Sequence, residues 1–270
     1  MNLNLVFMPG RLETLREMWS PLCDEKCRQY GFRPTLAPVS ESDAWRDALN
    51  NADLAISSWG SPVFSTELLK DAPGLKMLGH AAGSARAVTD SSTYAAGLKV
   101  STANPVMARG VAEWSLLATL LASRNFGAYA NFCGQKRMDW SRQFEMGDIR
   151  TQTVGIWGVG DTTRHLVQML APLHPGRLLI ASRHTSEAEI ASWGGRKVEL
   201  EELLAASDIL HLLVGVNAEN YGKIGPAELT MMRDGATLIN CGRAHLTQEA
   251  ALEAELRSGR INAILDVYFE

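Results

Sequence analysis

The chain has 270 residues, near the useful limit of one core, so its length predicts two domains, each able to bury a core of its own. With 46% hydrophobic and 21% charged residues, a formal net charge of -4 and no apolar run near the roughly 18 residues that span a bilayer, the composition argues against a membrane span. It argues equally against a broad nucleic-acid surface, which needs clustered Lys and Arg.

Taken in chain order, the opening MNLNLVFMPG lacks the basic, apolar and small-residue segments of a signal peptide, so the mature chain is expected to begin here. A strand is predicted over residues 3–8 and an amphipathic helix over 11–30, ending near Gly31. Residues 52–58 form a short apolar strand, 65–70 a helix opened by a Ser cap, and 75–78 a strand leading into His80-Ala81-Ala82-Gly83-Ser84. This alternation implies a parallel sheet with helices on its faces. Residues 107–124 are a long, continuously apolar helix, which predicts burial between the domains. The stretch to about residue 150, with Tyr129, Phe132, Trp140 and Phe144, lacks a clean period and reads as an extended arm or interface segment. Strands are then predicted at 153–157, 177–181, 209–214, 236–240 and 261–267. Between them lie helices at 162–173, 200–206, 226–232 and 247–258. No internal repeat or low-complexity tract is present. Cys23, Cys27, Cys133 and Cys241 include one C-x3-C pair but no second Cys or His pair at metal-ligand spacing. No metal is therefore expected, and the thiols read as reduced and cytoplasmic.

The strand at 153–157 runs through Gly158-Val159-Gly160 directly into a helix. That context lets backbone amides approach a pyrophosphate. Gly158 permits the tight turn and Gly160 the close approach, while the amides of Asp161 and Thr162 point from the helix start toward an anion. The third glycine of G-x-G-x-x-G is Thr163 here, which predicts a slightly displaced helix. A tight turn with no ligand is the alternative. At the end of the next strand, where Asp or Glu accepts the ribose 2′-hydroxyl of NAD, stands Ser182-Arg183-His184. An arginine there suits a 2′-phosphate, so NADP(H) is favoured over NAD(H); a solvated basic turn is the bland alternative.

Several pieces now stand in family order: HAAGSAR (80–86), RGVAEWSLLATLLA (109–122), GVGDTTR (158–164) and ATLINCGRAHLTQEAALEAELRSGRINAILDV (236–267). Together they resemble the D-2-hydroxyacid dehydrogenase family. The resemblance implies an α/β architecture of two Rossmann-like or flavodoxin-like domains with parallel sheets and an interdomain cleft. Residues 1–103 would form an incomplete substrate domain and 104–270 an NAD(P)-binding Rossmann domain whose C-terminal end is missing. It also implies hydride transfer between NAD(P)H and a small 2-oxo or 2-hydroxy acid. Arg243 matches the arginine that binds the substrate carboxylate and polarises the carbonyl, and Asp266 the aspartate that orients the nicotinamide carboxamide. The amides of Gly83 and Ser84 match the loop that holds the substrate carboxylate. Against these roles stand a helix-cap or surface ion pair for Arg243 and an ordinary strand-end residue for Asp266.

The family's proton-donating His and its partner Glu fall at or past the last residue. Glu270 stands about one position short of that Glu, and His80, His165, His174, His184, His211 and His245 do not match. The resemblance therefore leaves two expectations, a chain cut short or a non-catalytic dinucleotide-binding or regulatory relative. A short-chain dehydrogenase is not supported, because no Tyr-x-x-x-Lys pair follows the fourth strand. The resemblance further implies a homodimer, with the arm around Trp140 reaching a partner, and neither nucleic acid nor membrane as a partner.

Overall fold

A computed structural model describes residues 3–133 and 146–269. Trp140, Phe144, the side chain of Phe132 and Glu270, and with them the expected arm, lie outside the described residues. The chain divides into two compact units, Met1–Met107 and Ala108–Glu270.

The first unit runs β1 (Leu3–Met8), α1 (Leu12–Met18), α2 (Pro21–Gln29), β2 (Phe32–Leu36), α3 (Ala44–Asn50), β3 (Leu54–Ser57), α4 (Thr66–Lys70), β4 (Met77–His80), α5 (Ser91–Ala95) and β5 (Lys99–Thr102). The strands pair in parallel in the order β2-β1-β3-β4-β5. Val6, Met8, Trp45, Leu49, Phe64 and Leu78 fill the core beneath that sheet. The helix expected over 11–30 is broken in two. Pro21 cannot donate to a preceding turn and disfavours helical geometry at Ser20, which is extended at φ -119°, ψ 165°. β2, α3, α5 and β5 escape the hydrophobic pattern. β2 carries Pro34, which a sheet accepts only at an edge, and β2 is an edge strand.

From the first unit into the second runs α6 (Asn104–Ser123), followed by α7 (Phe126–Cys133). Then come β6 (Thr153–Trp157), α8 (Asp161–Leu170), β7 (Arg177–Ala181), α9 (Glu187–Ser192), β8 (Arg196–Lys197), α10 (Leu200–Ala206), β9 (Ile209–Leu212), α11 (Pro226–Met231), β10 (Thr237–Asn240), α12 (Glu249–Ser258) and β11 (Asn262–Leu265). The parallel sheet has the order β11-β10-β9-β6-β7-β8, six strands where five were expected. The sixth, β8, is two residues long and is defined only by pairing with β7, at Leu179↔Arg196 and Ile180↔Lys197. Numbered from β6, the order reads 3-2-1-4-5-6, that of a doubly wound dinucleotide-binding sheet. Ligands of such sheets bind at the carboxyl ends of the strands where the winding reverses, here between β6 and β9.

α6 is not buried all round, contrary to the expectation from its apolar run. Its buried residues are small, namely Ala108, Ala112, Ser115, Ala118, Thr119 and Ser123. They let the helix lie close on the strands of the second sheet, while Trp114, Leu117 and Leu120 are left exposed. Between α6 and β9, the Thr119 hydroxyl donates to the Ser115 carbonyl at 2.8 Å, which assigns the 2.9 Å contact with His211 to donation from Nε2. Burial pushes the His211 pKa down to about 3, so this histidine is a neutral core residue.

Candidate functional site

The apolar residues of β6 are buried on both faces of the sheet, which delivers the following turn to the carboxyl edge in a fixed place. Gly158 has φ +101°, and its amide donates to the Ala181 carbonyl at 2.9 Å. A Cβ on Gly158 would lie 2.6 Å from both the Cα and the backbone N of Val214, so the turn is pressed against the chain leaving β9. Gly160 is different. It is the N-cap of α8, and a Cβ there would meet nothing within 4 Å. No side chain caps α8, whose first residues are Asp161 and Thr162. A ten-residue helix with no side-chain cap hydrogen bond at its N-cap, opening at the reversal point of the sheet, could hold a pyrophosphate. Thr163, in the place of the third glycine, is fully buried and returns its hydroxyl to the Gly158 carbonyl at 2.8 Å.

At the end of β7, the Ser182 hydroxyl donates to Thr185 Oγ1 at 3.0 Å and accepts the Thr185 amide at 3.3 Å. Arg183 projects into solvent and pairs with Glu219. Glu219 belongs to the loop after β9, which is braced by its asparagines. Asn217 Oδ1 accepts the amides of Glu219 at 2.9 Å and Asn220 at 3.1 Å, and Asn220 Nδ2 donates to the Gly215 carbonyl at 2.8 Å. Sequence reasoning missed Glu219. The available signal was an acidic residue between two turn-forming asparagines after a predicted strand.

The loop after β10 carries Arg243. Asn240 is buried; its Oδ1 accepts the Gly242 amide at 3.1 Å and its Nδ2 donates to the Arg243 carbonyl at 2.9 Å. Asn240 also accepts the amide of Asp266 on its backbone carbonyl at 3.0 Å. One residue thus ties Arg243 and Asp266 to the same place, and it was not among the expected site residues. The Arg243 guanidinium is exposed and donates to the Gly242 carbonyl at 2.7 Å. Asp266 is exposed as a residue, yet partial desolvation of its carboxyl raises its pKa above the ordinary value. Burial pushes the thiol of Cys241 up to about 11, so it stays protonated at neutral pH. His245 is occupied elsewhere, its ring between Tyr221 at 5.2 Å and Phe269 at 5.5 Å between centroids.

Gly158, Gly160, Asp161, Thr162, Ser182, Arg183, Arg243 and Asp266 therefore all lie at the carboxyl edge of the second sheet. Gly83 and Ser84 lie at the carboxyl edge of the first, in the loop after β4. There Ser84 Oγ accepts the Arg86 amide at 3.4 Å, and the Ala82 carbonyl accepts the Ala103 amide at 3.2 Å. Beneath that loop His80 Nδ1 and Ser57 Oγ lie 3.0 Å apart in a buried pair, and burial lowers the pKa of His80. Among the described residues no group of three or more His, Cys, Asp or Glu could hold a metal ion, and no helix is long and apolar enough to cross a membrane.

Comparison with known proteins identifies these features further. Residues 116–270 match the D-isomer specific 2-hydroxyacid dehydrogenase, NAD binding domain. Glyoxylate/hydroxypyruvate reductase B of Yersinia enterocolitica is 36% identical over 122 residues, which is 45% of this chain and 37% of that protein. The match thus spans little more than a third of the relative's length. The NAD-complexed D-isomer specific 2-hydroxyacid dehydrogenase of Lactobacillus delbrueckii ssp. bulgaricus superposes with a TM-score of 0.81 at 18% identity, over 98% of this chain and 79% of that one. An acyclic imino acid reductase in complex with NADPH and D-Arg gives 0.76 at 22% identity, over 99% and 84%. At these identities the likeness is one of fold.

Proposed function

The chain belongs to the D-isomer specific 2-hydroxyacid dehydrogenase family, and from that premise we propose that it transfers hydride between NAD(P)H, NADPH being favoured, and a small 2-oxo acid. The observation that carries this reading is the Asn240 clamp. It ties the backbone of Arg243 and of Asp266 to one buried residue at the edge of the sheet that carries the Gly158–Gly160 turn. When bound, the nicotinamide supplies the hydride. Asp266 would accept the carboxamide N–H and so help hold the nicotinamide. Arg243, with its planar two-donor guanidinium, would bind the substrate carboxylate and stabilise negative charge growing on the carbonyl oxygen. The amides of Gly83 and Ser84, in the loop after β4, are offered as donors to a carboxylate. Ser182 and Arg183 hold the 2′-phosphate of NADPH.

The cofactor part is tested by fluorescence titration of the wild type and Arg183→Asp with NADPH and NADH. Tighter NADPH binding in the wild type, reversed in the variant, is the expected result; an unchanged ratio would remove Arg183 from the site. A second reading is dinucleotide binding without turnover, since none of the six histidines stands where the resemblance puts the proton donor, and His245 packs its ring against Tyr221 and Phe269. NADPH oxidation with glyoxylate or hydroxypyruvate separates the two, since the second reading expects binding and no rate.

We also place the protein in the cytoplasm, a reading in keeping with its four free thiols, and take its partner to be a second copy of itself. Trp114, Leu117, Leu120, Phe126 and Tyr129 form an exposed apolar series along α6 and α7, the kind of surface an isologous contact covers. Sedimentation velocity at micromolar concentration is expected to give a dimer, and a stable monomer would overturn that assignment.

A further inference from the structure

The end of β7 lacks the acidic residue that takes the ribose hydroxyls of NAD in doubly wound sheets, but a carboxylate reaches that place from another part of the chain. Glu219, 36 residues after Arg183, pairs with the guanidinium at the edge where the adenosine ribose of a dinucleotide lies. We propose that Glu219 sets the balance between NADPH and NADH. It is the counter-ion of Arg183 when no phosphate is bound, and it is the acceptor for the ribose 2′- and 3′-hydroxyls when NADH is bound. The proposal rests on the Gly158–Gly160 turn being a dinucleotide site.

Two independent features support it. The first is that the backbone carrying the carboxylate is fixed by its loop, independently of the ion pair. Asn217 holds the Glu219 amide, Asn217 N–H donates to Asn220 Oδ1 at 2.6 Å, and the buried Asn220 ties the loop to Gly215. The Glu219 backbone would therefore stay in position when Arg183 turns away, which keeps the carboxylate within reach of the same edge. The second is that the pair is exposed, with side-chain accessibilities of 63% for Arg183 and 70% for Glu219. An ion pair in that setting is weak and opens readily. A 2′-phosphate carries close to two negative charges and three acceptor oxygens, so it draws Arg183 off the carboxylate. It then faces Glu219 as a like charge. A 2′-hydroxyl does the opposite. It is neutral, it donates to the carboxylate, and it leaves the ion pair intact. An ordinary surface ion pair would have no such asymmetry.

The test is titration of the wild type, Glu219→Gln, Arg183→Gln and the double variant with NADPH and with NADH, following nicotinamide fluorescence, with thermal unfolding of each free protein recorded alongside. Glu219→Gln is expected to tighten NADPH by about 3–10-fold and to weaken NADH by a similar factor, with the unfolding temperature little changed. In the Arg183→Gln background the NADH loss should persist, while the NADPH gain, which needs a freed arginine, should shrink. A cofactor ratio that Glu219→Gln leaves within twofold of the wild type, or both affinities moving together, would overturn the role of Glu219 while leaving the dinucleotide site standing. A wild type that binds neither cofactor would sink both.

Discussion

Gly158→Ala is expected to abolish measurable binding of NADPH and NADH and to destabilise the second unit, whereas Gly160→Ala should cost binding alone. At Gly158 the backbone has φ +101° and an added Cβ would sit 2.6 Å from the backbone of Val214. Neither backbone can yield without moving the end of β6 or of β9. A left-handed side chain plus a steric overlap of this kind costs about 2–4 kcal/mol, a large share of the stability of a domain this size. At Gly160 the backbone is extended and a Cβ meets nothing of the protein, so Gly160→Ala should unfold at the same denaturant concentration as the wild type. Its methyl group, however, would occupy the space through which a pyrophosphate reaches the amides of α8. Denaturant unfolding and cofactor titration on the same two variants check both halves. Wild-type affinity in Gly160→Ala would show that the turn is not where the phosphate binds.

Arg243→Ala is expected to lower kcat/KM with glyoxylate or hydroxypyruvate by about 10²–10³-fold, the usual cost of losing a group that meets developing oxyanion charge. Cofactor affinity should change little. Stability should also be nearly unchanged, because Arg243 is exposed and its loop is held by the buried Asn240 rather than by its own guanidinium. A variant that lost cofactor affinity and kept its turnover per bound cofactor would remove Arg243 from the chemistry. If the wild type bound cofactor and turned over neither acid, the reading of binding without catalysis would take precedence.

Much of this site was legible in the chain itself because its signals are local. A buried apolar strand, a glycine pair and a helix within about fifteen residues mark a tight strand-to-helix turn, the context in which a phosphate turn is expected. Four segments in family order carried the resemblance, the block over residues 236–267 being the most specific. The ends of β6 and β7 agree with their predicted spans because both strands are continuous apolar runs with polar borders. The harder elements lacked such borders. α1 and α2 share one amphipathic pattern, and only the backbone chemistry of Pro21 separates them.

Sequence by itself determined the alternation of strands and helices, the Gly158–Gly160 turn between strand and helix, and the chemical character of Arg183, Arg243 and Asp266. These depend on residue type and on periods of two and 3.6 residues within one segment. Tertiary structure decided what those residues meet: Glu219 against Arg183, Asn240 beneath both Arg243 and Asp266, a two-residue β8 that exists only through β7, and an α6 that buries its small residues and exposes its tryptophan. The Arg183–Glu219, Asn240–Asp266 and β7–β8 pairings each close a loop between segments well separated in sequence. Local propensity carries no record of which distant segment will arrive, because that choice is made by the packing of the whole sheet.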